Sequence, residues 1–296
     1  MLKCAYIFFG QVKNYTKHQY KSFVEHVADP LRVGRVETDY YLVTSNNKKF
    51  KNLKPKPGGA EGIEKEEREI NPLSMCEFFN FKNILFDGLE DKNSEINKEI
   101  EKYSKMLVHN KKGCPSWALQ EGGAWGSHSL ESTINSLKQI YSLEYFFNFF
   151  KKIEKQERYD IYILSRCDLF HTSRLSHERI RRFYRTEKGA KTYHRNKDLI
   201  IVPSFGWWKG GCNDRFAVFN SMNSMEKYCS RYSSIKSHKE WYHAENYLLK
   251  HLESEKIKVE RLCGFNFRLV RSGGEVTNLS GRRVDETLQD GTGGET

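Results

Sequence analysis

Residues 159–170 read Y-D-I-Y-I-L-S-R-C-D-L-F, an apolar run that ends abruptly in Arg166 and Asp168 before Phe170 resumes the apolar character. A short continuous run of this kind is a strand buried on both faces, which demands a sheet covered by helices on either side. The strand carries one cation and one carboxylate at its end. In open α/β sheets that is where ligands collect.

The rest of the chain supplies a sheet for this strand. Residues 4–9 form a second continuous apolar run, closed by Gly10, and read as a buried first strand followed by a tight turn. Tyr20, Phe23, Val24 and Val27 fall at i, i+3, i+4 and i+7, which predicts a helix stopped by Asp29-Pro30. Residues 39–44 are then a strand, so the chain opens with a β-α-β unit. Further on, the pattern predicts a strand at 83–87, a helix on Ile96, Ile100, Tyr103 and Leu107, and the strongest helix at 129–157. That helix has Ile134, Leu137, Tyr141 and Tyr145 on one stripe. Its cluster of Tyr145, Phe146, Phe147, Phe149 and Phe150 reads as core packing. Strands at 199–203 and 216–219, helices at 221–232 and 241–252, and closing strands at 257–260 and 265–270 complete an alternating α/β chain with a mixed sheet.

Residues 1–271 are expected to make one domain. Within it, residues 46–71 carry Lys, Glu, Gly and Pro with almost nothing to bury and read as a solvated insertion. Residues 114–127, with Trp117 and Trp125, read as an aromatic loop of the kind that borders a site. Residues 272–296 offer few apolar side chains and are expected to be poorly ordered. The net charge of +11 implies an anionic partner, whether nucleic acid, membrane surface or nucleotide diphosphate. Seven cysteines without a C-x-x-C pair indicate neither a zinc site nor a disulfide framework, and fit free thiols in a reducing compartment. No stretch approaches the roughly 18 apolar residues that span a bilayer. A soluble, cytoplasmic protein without a membrane anchor is expected.

Several residues could carry chemistry. Asp168 at a strand end can hold a divalent cation, Mn or Mg, that neutralises a pyrophosphate; it could equally form a local ion pair with Arg166. In F-G-W-W-K-G-G-C-N-D-R-F, residues 205–216, Gly210 and Gly211 let backbone come close to a ligand where a Cβ would strike a sugar ring. Trp207 and Trp208 can stack on a pyranose, and Asp214 can take the proton of an acceptor hydroxyl. The plainer alternative is a tight turn with core-facing tryptophans and Asp214 as a cap. Trp241, Tyr242, His243 and Glu245 open a helix. His243 is a candidate to complete a metal shell with Asp168, and Glu245 is either an acid favoured by the helix dipole or a second candidate base. Gly10 and Gln11 can read a base or ribose. Lys13, Arg166 and the arginines at 174, 179, 181, 182 and 185 are candidates for phosphate contact.

At these residues the chain resembles glycosyltransferases of the GT-A fold. G-Q-V-K at 10–13 is similar to the G-Q-x-R opening of several bacterial and viral sugar transferases, with Lys13 where Arg is usual. R-C-D-L at 166–169 is similar to their R-x-D-L element at the D-x-D position, with Arg166 in place of the first acid. Residues 205–214 are similar to the W-G-G-E-D-D loop of inverting β-galactosyltransferases. Aligning the glycines carries acceptor contact to Trp208 and the base to Asp214, and His243 falls at a spacing comparable to that family's metal histidine. Cys212 and Asn213 stand where acids would be. Over most of its length the chain looks like the small soluble glycosyltransferases of chloroviruses, large DNA viruses of algae that glycosylate their own capsid proteins. The resemblance implies an inverting transfer from a nucleotide sugar to a glycan or glycoprotein, with xylose from UDP-xylose and a fucose of the capsid N-glycan as donor and acceptor. Two other classes stay open: a basic nucleic-acid-binding protein, which lacks an RNP-like strand or zinc finger here, and a carbohydrate-binding protein without catalysis, for which Trp207 and Trp208 would suffice.

Overall fold

In a computed structural model, residues 1–52, 66–109, 130–153, 159–182, 198–205, 211–238, 240, 242–270 and 276–277 are described. The two apolar runs lie side by side at the centre. Strand β1 (Leu2–Phe9) pairs in parallel with β2 (Val36–Thr44) on one edge and with β6 (Ile161–Arg166) on the other. Side chains alternate across a strand, so an unbroken apolar run serves two cores. Cys4, Tyr6 and Phe8 face α1 (Lys17–Phe23), while Ala5, Ile7 and Phe9 face α4 (Leu130–Ile153). Burying each of the larger of these side chains contributes about 1.5–3 kcal/mol.

The sheet has seven strands in the order β10-β8-β9-β6-β1-β2-β5, with β5 (Phe81–Phe86), β8 (Leu199–Pro203), β9 (Phe216–Phe219) and β10 (Lys258–Leu262) completing it. Only β9 runs antiparallel to its neighbours. Helices α3 (Glu95–His109), α6 (Met222–Cys229), α7 (Arg231–Ile235) and α8 (Ala244–Ser254) join α4, and α2 (Asp29–Val33) and α5 (His177–Arg182) join α1. The result is the expected α/β fold, a mixed sheet flanked by helices. From β1 the chain goes to β2 and β5, then returns to β6 on the other side of β1. The crevice at the carboxyl ends of β1 and β6 is therefore the topological switch point.

Some elements differ from expectation. The first helix does not stop at Asp29-Pro30. It widens into a π turn at Val24–Ala28, and α2 carries Pro30 in its first turn, where a missing N–H costs little. The expected helix at 221–232 breaks at Ser230, and the helix expected from 241 starts at Ala244. On α4, Tyr145 is 41% exposed while Leu143, Phe146, Phe147 and Phe150 are buried, because the helix packs on β2, α3, α6 and α7 over more than one stripe. The insertion at 46–71 contains the paired strands β3 (Lys49–Asn52) and β4 (Glu66–Glu69), followed by a buried Ile70. After β6 comes an unexpected short strand, β7 (Leu169–His171). It forms a second sheet with β11 (Phe267–Val270) and β12 (Val276–Thr277). Val276 of the expected loose tail is buried there and pairs with Val270. The aromatic loop at 114–127 and residues 278–296 lie outside the described residues. The six described cysteines are free, and no described helix is long and apolar enough to cross a membrane.

Candidate functional site

Charged side chains gather at the switch point in two adjoining groups. The first is built where β1 and β6 end. Gly10 takes φ +97°, open to glycine at little cost, and its N–H donates to the Val43 carbonyl at 3.1 Å. The next turn is held by Val12 N–H donating to Thr44 Oγ1 at 3.3 Å. Across the crevice, Cys167 N–H donates to the Phe9 carbonyl at 3.0 Å and its thiol reaches the Phe9 and Gly10 carbonyls at 3.2 and 3.4 Å. Burial, then the charge of Asp168, pushes this thiol well up, so it is a neutral tie and no nucleophile.

The tie fixes Asp168 in the turn between β6 and β7, with its carbonyl accepting from Val270 N–H at 2.8 Å. Arg166 grips the carboxylate with both arms of its fork, Nε to Oδ1 at 2.8 Å and Nη2 to Oδ2 at 2.5 Å. Lys13 Nζ stands 3.6 Å from Oδ2. The ion-pair alternative weighed for Arg166 and Asp168 is thus the arrangement found. Both oxygens of Asp168 are committed to cations. A divalent ion there would have to displace a guanidinium and sit beside Lys13; at about 4 Å each pair of unit charges repels by roughly 4 kcal/mol in a partly buried setting. Among the described residues no group of three or more His, Cys, Asp or Glu side chains is placed to hold a metal. The residues around Asp168 do not fit a divalent cation.

The second group stands where β9 begins and α8 starts. Arg215 Nη1 lies 3.3 Å from Asp214 Oδ1 and 3.3 Å from Glu245 Oε1, and donates a hydrogen bond to the latter. His243, at the N-cap of α8, brings Nδ1 to 3.2 Å from Glu245 Oε2. Asp214 Oδ1 is covered and accepts no hydrogen bond from the described residues. One guanidinium between two buried carboxylates cannot satisfy both. Burial first, and the Asp214 charge second, push the Glu245 carboxyl up to about 7 against the opposing pull of Arg215. Of the pair that was expected to complete a metal shell, Asp168 is turned to Arg166 and His243 to Glu245.

The groups share a border. Arg166 N–H donates to the Arg215 carbonyl at 3.0 Å, continuing the β6 and β9 ladder. The charge of Asp214 also helps to keep Arg166 protonated, after Asp168 has offset the effect of burial.

Of the expected site residues, Gly10, Lys13, Arg166, Asp168, Asp214, His243 and Glu245 come to this edge, with Gln11 half-buried beside Gly10. Trp207, Trp208 and Gly210 lie outside the described residues. Gly211 is needed for a different reason than expected: a Cβ on it would stand 2.2 Å from the Glu245 carbonyl carbon and 2.4 Å from Asn246 N. Its close approach is to the backbone of α8, secured by Cys212 N–H donating to the Glu245 carbonyl at 3.0 Å. Arg174 and Arg179 are exposed and follow the π turn's flank, where Leu175 N–H meets the His26 carbonyl at 2.7 Å. The residue missed beforehand is Arg215. Its position, directly between Asp214 and the buried run of β9, was the available signal.

The sequence matches no family model and no curated protein. Among solved structures the chain is similar to mouse xyloside xylosyltransferase 1 in its apo form, at 10% identity with a TM-score of 0.36, over 88% of this chain and 84% of that one.

Proposed function

We propose that the chain is a glycosyltransferase that moves a sugar from a nucleotide diphosphate sugar to a glycan hydroxyl with inversion. What supports this is the division of the switch-point edge into a cationic group, Lys13 and Arg166 around Asp168, and a carboxylate group, Asp214 and Glu245 around Arg215, joined through the Arg166 to Arg215 backbone bond. The first group suits a diphosphate and the second suits proton removal. In the proposed step the acceptor oxygen attacks the anomeric carbon as the bond to the diphosphate breaks. The electron pair leaves on the phosphate oxygen beside Lys13 and Arg166, and the acceptor proton goes to Asp214. Glu245 is a positioning residue: when it ionises, it holds Arg215 and His243 beside Asp214. The resemblance of the chain, over most of its length, to the small glycosyltransferases of chloroviruses extends the proposal to UDP-xylose as donor and a fucose of a capsid N-glycan as acceptor.

The experiment is release of UDP from UDP-xylose in the presence of a fucose-bearing oligosaccharide, with the product's anomeric configuration read by NMR. Acceptor-dependent release with a β-linked product is expected. No release from any of a panel of UDP, GDP, CMP and dTDP sugars would end the proposal.

A further inference from the structure

Resting on that reading, we infer that the donor diphosphate is held at the β1 and β6 crevice by Lys13 and Arg166 without a divalent metal, and that Asp168 positions Arg166 and ligates nothing. The Arg166 fork meets Asp168 through Nε and Nη2, at 2.8 and 2.5 Å. Its Nη1 edge carries two further N–H groups in the same plane, the geometry that suits a phosphate oxygen. Lys13 adds a point charge 3.6 Å from the same carboxylate, so the trio carries two positive charges against one negative. At the end of β1 there is room: apart from Phe9, Gly10 and Gln11, no atom of the described residues lies within 4 Å of where a Cβ on Gly10 would stand. A carboxylate that oriented a metal would need its oxygens turned to the crevice, whereas these oxygens are turned to the cations. The two groups that would have to tolerate the metal are the ones that already do its work of offsetting the leaving diphosphate.

The two accounts give opposite signs for one substitution. If Asp168 held a metal, Asp168→Asn would abolish nucleotide binding. If Asp168 only orients Arg166, removing its charge leaves Lys13 and Arg166 in greater positive excess. The full-length chain is therefore titrated calorimetrically with UDP in EDTA and in Mn²⁺, as wild type, Asp168→Asn, Arg166→Gln and Lys13→Met. We expect the wild-type affinity to agree within about twofold between the two buffers, Asp168→Asn to bind UDP in EDTA as tightly or more so, and Arg166→Gln and Lys13→Met each to lose about tenfold, the order of one charge-assisted hydrogen bond. Inorganic pyrophosphate should compete with UDP in EDTA. Wild-type binding that is lost in EDTA and restored by Mn²⁺, or unaltered binding in both Arg166→Gln and Lys13→Met, would overturn the inference and leave the transferase reading standing. Should Asp168→Asn fail to fold, the EDTA comparison on the wild type together with Lys13→Met still decides. If UDP, GDP, CMP and dTDP all fail to bind in either buffer, the transferase reading falls and takes this inference with it.

Discussion

The two charged groups are built from the same kinds of residue and end in opposite electrostatic states. Around Asp168, one carboxylate faces Lys13 and Arg166, and both of its oxygens have a cationic partner. Around Arg215, two carboxylates share one guanidinium nitrogen, and burial, with the Asp214 charge second, pushes the Glu245 carboxyl up to about 7. The lesson concerns ratio: two cations around one carboxylate leave net positive charge for an anionic ligand, whereas one cation between two buried carboxylates leaves an acid poised to exchange a proton. The proposed transfer would use that asymmetry, because a diphosphate is an anion to be stabilised and an acceptor hydroxyl is a proton donor to be relieved.

The largest effect should come from breaking the carboxylate half. Asp214→Asn should slow transfer by about 100 to 10,000-fold, the range for loss of a general base, with UDP affinity within a fewfold of wild type. Glu245→Gln should behave differently. The wild-type rate should rise as pH climbs through about 7, where Glu245 ionises, and this limb should vanish in Glu245→Gln, leaving the rate near its low-pH plateau. Steady-state kinetics from pH 5 to 9 on both variants check this. A near-normal rate in Asp214→Asn beside a collapsed rate in Glu245→Gln would exchange the two roles.

A backbone contact tests whether the halves are mechanically separate. Gly211→Ala would drive a methyl into the Glu245 carbonyl, 2.2 Å from its carbon, and backbone on α8 cannot swing aside as a side chain can. A loss of about 3 kcal/mol is expected in urea denaturation, at the upper end of overpacking effects. Under conditions where the variant is folded, turnover should fall far more than UDP affinity. Equal losses in both would mean that the donor half also rests on α8.

Much of this arrangement was legible in the chain, and the part that was not has a physical cause. The two strands that define the switch point, residues 4–9 and 161–166, are readable because strands buried on both faces must be apolar at every position. The carboxyl-end residues Gly10, Lys13, Arg166 and Asp168 follow from them by counting. What escaped was pairing. Whether Asp168 faces a metal or Arg166 depends on a side-chain torsion, and two residues apart on a strand end both are open. The role of Gly211 was legible as a close approach and illegible as to what is approached, since its partner Glu245 lies 34 positions on in the numbering. Arg215 was passed over because a basic residue beside an acid reads as a solvated pair until burial is known. The docking of Val276 was not expected because Val276, Leu279, Val284 and Leu288 are the few apolar side chains of a Gly-, Thr- and charge-rich tail.

The Glu245 asymmetry should also be visible in stability. The ordinary carboxyl value is 4.5 and the folded value is about 7, so between these the folded state binds more protons than the unfolded chain. Stability from this group is then present in full below about 4.5 and is lost as pH rises through about 7, a change of about 3 kcal/mol. Gln cannot titrate. Relative to wild type, Glu245→Gln should gain that amount in unfolding free energy between pH 4 and pH 8, whatever its offset at either end.

The smallest effect probes what stands behind the cationic half. Val276 pairs with Val270, and the N–H of Val270 donates to the Asp168 carbonyl at 2.8 Å, so the short sheet of β7, β11 and β12 backs the turn that carries Asp168. Val276→Ala removes two methyl groups from a buried position, worth about 1 kcal/mol net at a sheet edge. Chain truncation after Arg271 should lose at least as much, because the strand pairing goes with the side chain. If the sheet also holds Asp168 in register, UDP affinity should slip by a small factor in Val276→Ala while the pH limb near 7 keeps its position, since Glu245 is held by Arg215 and His243. An unchanged midpoint in urea would show that Val276 is covered without contributing. A displaced limb would show instead that the two halves communicate, as the Arg166 to Arg215 backbone bond and the Asp214 charge on Arg166 allow.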